Sequence, residues 1–324
     1  MSIRKQLQGY IAAKDIAPEH VAAALQVSKL RPNHGQWFTF IEQLLLWCAA
    51  LALVIAALFF IAYNWDDFGR FSKFAGLEVL VILAVASYLK WGKQALVAQV
   101  SLMAASIAVG VLLAFFGQTY QTGADPWQLF AIWAALILPW VIVGRFSALW
   151  MLWLTLVNLA LVLWLVDLRP RWLFFPMYES LLWAMCIVNG LALVAWELIL
   201  RPCLALTERW SFRLIATVAG TSLTLLALEP IINHNEYSQV DNTAVVVWGL
   251  WLLVSVVCYR YWRRDLFMLA GAALSFDTLV VCLFARLLLN DFDIGGFLVL
   301  ALIIIGLGVG SAIWLRNVQR GWQQ

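Results

Sequence analysis

A chain of 324 residues that is 64% apolar and only 12% charged, with a mean hydropathy of +0.88, is far from the roughly 25% charged residues of a soluble domain. Apolar runs of about 20 residues recur along it, each long enough to cross a ~30 Å hydrocarbon core as a helix. The formal net charge of +3 is no nucleic-acid signal, because the basic residues sit between the apolar runs. The expected class is an all-α polytopic integral membrane protein whose first partner is the lipid bilayer.

The first forty residues lack the apolar core of a cleaved signal, so no removal is expected. Residues 1–36 read as a small helical region ahead of a transmembrane bundle over 37–324. Pro18 suits a first helical position in "DIAPEHVAAALQVSKL". Ile11, Ile16, Val21, Leu25 and Val27 are placed to pack two short pieces together. The polar face is not strongly basic, which favours a cytoplasmic helical pair over a helix lying on the membrane.

Ten spans follow, over 41–64, 74–91, 95–116, 128–144, 148–166, 180–200, 212–229, 243–260, 266–286 and 295–315. With the N-terminus inside, only Arg70, Lys73, Arg169, Arg171 and Arg286 of the 21 basic residues fall on the outer side. That bias predicts both termini in the cytoplasm. Trp65, Trp91, Trp127, Trp262 and Trp314 fall at span ends, where an amphipathic ring suits the headgroup layer.

Between the third and fourth spans lies an outer turn rich in hydrogen-bonding side chains. Gly117 and Gly123 permit tight or left-handed turns there, and Asp125 is placed to cap the fourth span with Pro126 at its first position. Capping does not account for Gln118, Tyr120 and Gln121. With Asp125 they form a candidate outer-loop site, folded onto the mouth of the bundle or docking a periplasmic partner. Farther on, "DLRPRWLFFPMYES" reads as an interfacial hairpin, and the acidic loop "LEPIINHNEYSQVDN" matches no recognised calcium spacing.

Polar residues inside the spans are the other candidates. Asp277, in "AALSFDTLVV", lies near the middle of the ninth span, where an aspartate costs about 2.5–3.5 kcal/mol. Such residues face a cavity or a partner. Asp277 with Ser275 and Thr278 is therefore a candidate ion or proton site, and the competing reading is an aspartate that glues two helices. Glu78, about one turn inside the second span, is placed to snorkel or to meet Lys73 or Arg70. Glu197 stands four residues before Arg201, the spacing of a local helical ion pair. Asn158 and Asn189, in the fifth and sixth spans, need partners across helices. Thr217, Thr221 and Thr224 share one face of the seventh span, and their hydroxyls can be satisfied by their own backbone.

Pro139 is expected to kink the fourth span. Gly306 with Gly310 in "GLGVG", echoed by Ala104 with Ala108, has the spacing of close helix contact, and this is the face on which to look for a partner helix. Catalytic signatures are missing. His20, His34 and His234 lie far apart, no phosphate loop or serine elbow occurs, and the five cysteines form no C-x-x-C pair. An enzyme is therefore not the expected class, and no cofactor or metal is implied.

Two stretches resemble a known family. "FFIAYNWDDFGRFSKFAGLEVL" over 59–80 is similar to the signature of an uncharacterised bacterial family of predicted membrane proteins, a domain of unknown function. "GQTYQTGADPWQLFAIWAALILPW" over 117–140 resembles its second block. The resemblance covers roughly the N-terminal half. It implies a helical membrane fold and an inner-membrane location, and it brings no catalytic residues.

Two functional classes remain. Ten spans with both termini inside can divide into five plus five in inverted orientation, as in many secondary transporters, although the halves show no residue-level similarity. The alternative is a non-transporting scaffold, sensor or complex subunit that docks membrane or periplasmic partners through its N-terminal region and outer loops. A polar cavity holding Asp277 with Asn158 or Asn189 would favour transport, and a close-packed interior would favour the scaffold.

Overall fold

The computed structural model of the chain describes residues 7, 9–11, 13, 15–28, 34–63, 69–91, 95–121, 123–168, 177–204, 209–232, 243–288 and 294–322. Residues 64–68 of the first family motif therefore lie outside the described residues, as do 169–176 of the expected interfacial hairpin and 233–242 of the acidic loop. Pro18 opens a 3-10 turn, Pro18–His20, that runs into the short helix α1 (Val21–Val27). Its fixed backbone and missing N–H suit that first position.

Ten long helices follow: α2 (His34–Tyr63), α3 (Arg70–Trp91), α4 (Ala95–Tyr120), α5 (Pro126–Gly144), α6 (Ser147–Asp167), α7 (from Met177–Ala195), α8 (Trp210–Ile232), α9 (from Thr243–Val257), α10 (Leu266–Leu288) and α11 (Ile294–Gly321). No strand occurs among the described residues. Nine of these helices, α3 to α11, are long and apolar enough among the described residues to cross a membrane. Nine of the ten expected spans thus fall on such a helix, the first expected span falls on α2, and the chain is an all-α polytopic membrane protein.

Several helices overrun the apolar run that marks them. Hydropathy reports the hydrocarbon depth, whereas backbone hydrogen bonding continues past it. Helix α4 thus reaches Tyr120 instead of stopping at 116, and α11 reaches Gly321. Trp314 accordingly lies inside α11 and not at its end.

Two compact units divide the chain. The first holds residues up to Ala124 together with Ala135–Gly144. Within it α3 and α4 pack side by side, and α2 packs against α4. Leu77, Leu102, Ala105 and Ala108 are buried, and Ser101 Oγ donates to Ser87 Oγ at 3.0 Å across the pair. Ala108 thus occupies the close-packed position expected of it.

The second unit comprises Asp125–Ala134 and Arg145–Gln323. Helix α8 is its centre, packed against α6, α7, α9 and α10. The sequence explains this place, because small residues let neighbours approach. A Cβ on Gly220 would sit 3.0 Å from Cζ2 of Trp251 on α9. At the far end of α8, Arg286 of α10 donates to the Ile231 carbonyl at 2.9 Å, meeting a backbone acceptor that the helix end leaves free. Helix α11 packs along α10, and none of its apolar stretch is buried.

Two helices of this unit end in a wider turn. Helix α7 passes through a π-helical turn, Trp196–Leu200, into Arg201–Leu204, and α9 closes with a second one, Cys258–Trp262.

Candidate functional sites

Asp277 sits halfway along α10 and accepts a hydrogen bond from Ser311 Oγ of α11 at 2.7 Å. Beside this pair opens a cavity of about 350 Å³, lined among others by Phe276, Gly306, Gly310 and Trp314. A Cβ at Gly306 or Gly310 would meet nothing within 4 Å. Among the described residues of the second unit the two glycines therefore border open space.

Ser275 and Thr278 do not join Asp277. In an α-helix, positions 275 and 278 lie about 60° apart, while 277 is about 160° away from 275. Ser275 instead meets α8 and α9, bonding Thr224 Oγ1 at 2.7 Å and accepting from Trp248 Nε1 at 2.8 Å. Thr278 donates to its own helix at Leu274 O, 2.7 Å away. Both residues line a second, mostly apolar cavity of about 460 Å³ together with Thr217, Thr221 and Thr224. Thr217 and Thr224 also bond back to Arg213 O and Gly220 O, as threonines in helices commonly do.

Asn158 and Asn189 face each other between α6 and α7. Asn189 Nδ2 donates to Asn158 Oδ1 at 2.8 Å, and Asn158 Nδ2 returns a bond to Asn189 Oδ1 at 3.2 Å. Each amide also donates to a carbonyl four residues back in its own helix, Leu154 O and Met185 O. Asn189 is only 1% exposed. The pair uses two donors and one acceptor on each side, and it is separate from Asp277.

In the first unit, Glu78 is exposed on α3, while Lys73 is buried; the side chain of Arg70 lies outside the described residues. Gln118 and Tyr120 belong to the last turn of α4 and not to a loop. Tyr120 packs on Phe74 and Phe116, with ring centroids 5.9 and 4.8 Å away. The left-handed positions are Gln121 (φ 43°) and Gly123 (φ 62°), whereas Gly117 is helical. In the second unit, Pro126 does start α5, but the Asp125 side chain makes no capping bond. The N–H of Gln128, one of the two donors a cap could use, goes to the Asp125 backbone carbonyl at 3.0 Å instead.

A charged cluster at one end of the second unit was only partly visible in the sequence. Glu197 pairs with Arg201 at 3.4 Å, as its spacing predicts, and also contacts Arg263. Asp265, 5% exposed, pairs with Arg213 at 3.1 Å and Arg209 at 3.6 Å. It also accepts from the N–H of Phe267 at 3.0 Å, which makes it the cap of α10. The two π turns build this place: Glu197 lies in the first, and Arg263 follows the second, its N–H reaching back to Cys258 O. Such turns often mark functional positions. The Arg260 carbonyl, near the end of α9, accepts from Trp322 Nε1 at 3.1 Å, which ties α11 to the same end. Beneath the charges lies an apolar cluster that includes Trp196, Phe212 and Met268, with Trp150, Trp153 and Tyr259 packed on it. The signal missed in the sequence was the acid at 265 just ahead of an apolar run, a helix-start signature.

Comparison with curated proteins gives no match, and none is found among solved structures. Residues 8–150, which contain both motif regions that suggested a family resemblance, match the family described as Predicted membrane protein (DUF2157).

Proposed function

We propose that this chain is a non-transporting membrane scaffold, sensor or complex subunit, resident in a bacterial inner membrane with both termini in the cytoplasm. One observation carries the reading: the polar groups within the helices of the second unit are divided among separate junctions. Asn158 is spent on Asn189, Ser275 on Thr224 and Trp248, and Asp277 on Ser311. A transport route needs such groups to share one cavity, whereas glue needs them in pairs. The orientation rests on the distribution of basic residues.

The test is ion flux in sealed proteoliposomes, read with pH-, sodium- and potassium-sensitive dyes. Wild type is expected to match protein-free vesicles. A flux that disappears in Asp277→Asn would sink the scaffold reading. A periplasm-active reporter fused after residue 122 is expected to be active, and a silent one would overturn the orientation.

Transport of a small solute remains the second reading because of the threonine-lined cavity of about 460 Å³. It has room for a small ligand and hydroxyls from two helices, although its wall is largely apolar.

A further inference from the structure

We propose that the arginine cluster at the shared end of α7, α8, α9 and α10 is a binding site for the phosphate of an anionic phospholipid. Four guanidinium groups, on Arg201, Arg209, Arg213 and Arg263, surround two carboxylates, Glu197 and Asp265. Each carboxylate is shared by two arginines, so among the described residues of the cluster two positive charges are left over. The surplus is not buried: Arg209 and Arg263 have side chains 56% and 46% exposed. Guanidinium is the side chain best shaped to take a phosphate through paired N–H donors.

Position selects the lipid over a free anion. The cluster lies where four apolar helices begin or end, which is headgroup depth for a chain that spans a bilayer. Tyr261 and Trp262, 67% and 87% exposed, extend the same end of α9 in the manner of an interfacial aromatic belt. Basic pockets between transmembrane helices recognise anionic headgroups in this way. The enclosed space among these side chains is about 20 Å³, room for about one water. A phosphate therefore sits at the mouth of the cluster, against Arg209 and Arg263, and the acyl chains run along the helices.

The geometry also supplies a clean variant. Replacing Arg209 and Arg263 by Gln leaves Asp265 with Arg213 and Glu197 with Arg201, so both acids stay paired while the surplus charge is removed. Full-length protein in a neutral detergent is mixed with phosphatidylglycerol or phosphatidylcholine, and retained lipid is counted by native mass spectrometry. Wild type is expected to retain phosphatidylglycerol selectively. The Arg209→Gln/Arg263→Gln variant should lose it by about tenfold or more, while Arg316→Gln/Arg320→Gln, which removes two charges from the end of α11, keeps it. Equal retention by all three proteins overturns the proposal. So does a wild type that prefers neither lipid, or one whose thermal stability rises with inorganic phosphate alone and not with phosphatidylglycerol. Should the double variant fail to fold, Arg209→Gln alone removes the more exposed charge. It is then expected to lower retention part of the way, and unchanged retention overturns the site.

Discussion

The α6–α9 side of the second unit and its α10–α11 side both place polar groups and glycines at helix contacts, yet they do so to opposite ends. On the first side, Asn158 and Asn189 satisfy each other in a place where Asn189 is almost wholly covered, and Gly220 is the seat for Trp251. On the second side, Asp277 has its bond to Ser311, but the glycines next to it meet nothing, and a cavity runs beside them. A residue type at the right spacing thus does not decide whether a junction is closed. Closure comes from what the facing helix supplies: an indole ring against Gly220, and among the described residues nothing within 4 Å of where a Cβ on Gly310 would sit.

The glycines give the sharpest test of this contrast. Gly220→Val pushes a branched side chain into the Trp251 ring and is expected to cost about 1–3 kcal/mol, while Gly310→Val should change stability by less than about 0.5 kcal/mol. Unfolding of the purified variants in detergent, followed by heat or by steric trapping, compares the two. Equal losses would erase the distinction between a closed side and an open one.

The asparagines come next. Asn189→Leu leaves the Asn158 amide short of a donor and an acceptor, and a loss of about 1–2 kcal/mol is expected. The double variant Asn158→Leu/Asn189→Leu should recover part of that loss, because no orphaned amide remains. A double variant that loses the sum of both single effects would mean that the two amides act independently.

On the open side the effects are smaller. Ser311→Ala removes one interhelical hydrogen bond and is expected to cost about 0.6 kcal/mol, and Asp277→Asn, which can still accept from Ser311, should cost no more. If Ser311→Ala destabilised as much as Asn189→Leu, the α10–α11 junction would have to be ranked with the closed ones.

What the sequence revealed divides along a physical line. The ten helices were legible because hydrocarbon demands about twenty apolar residues in a row, and a window of that length reads such a demand directly. The pairing of Glu197 with Arg201 was legible because it is local, one turn apart on the same helix. The partner of Asp277 was not. It lies 34 residues away, on another helix, and although Ser311 is the only hydroxyl side chain in α11, hydropathy does not say which helix that hydroxyl faces. The need of Asn158 and Asn189 for partners was readable from their chemistry, although the identity of each partner was not. Gly306 and Gly310 were singled out by their spacing, and Gly220, the glycine under pressure, was passed over because the opposing tryptophan is set by tertiary packing. The end of α4 was misplaced because Gly117 and the polar residues after it imitate a turn, while the helix continues until Gln121 takes a left-handed conformation.

The two π turns carry one more implication. A turn that closes on the fifth residue holds one residue more than the helix needs to advance, so α7 and α9 each contain a spare position near the charged end. Deleting Leu198, the middle residue of Trp196–Leu200, would restore ordinary winding and leave the residues beyond the turn close to their present side of the helix. Arg201 would then stand three residues after Glu197 and still share a face with it. The ion pair at this end therefore tolerates the loss of the spare residue, whereas the same deletion in a regular stretch of α7 would turn every later side chain by about 100°.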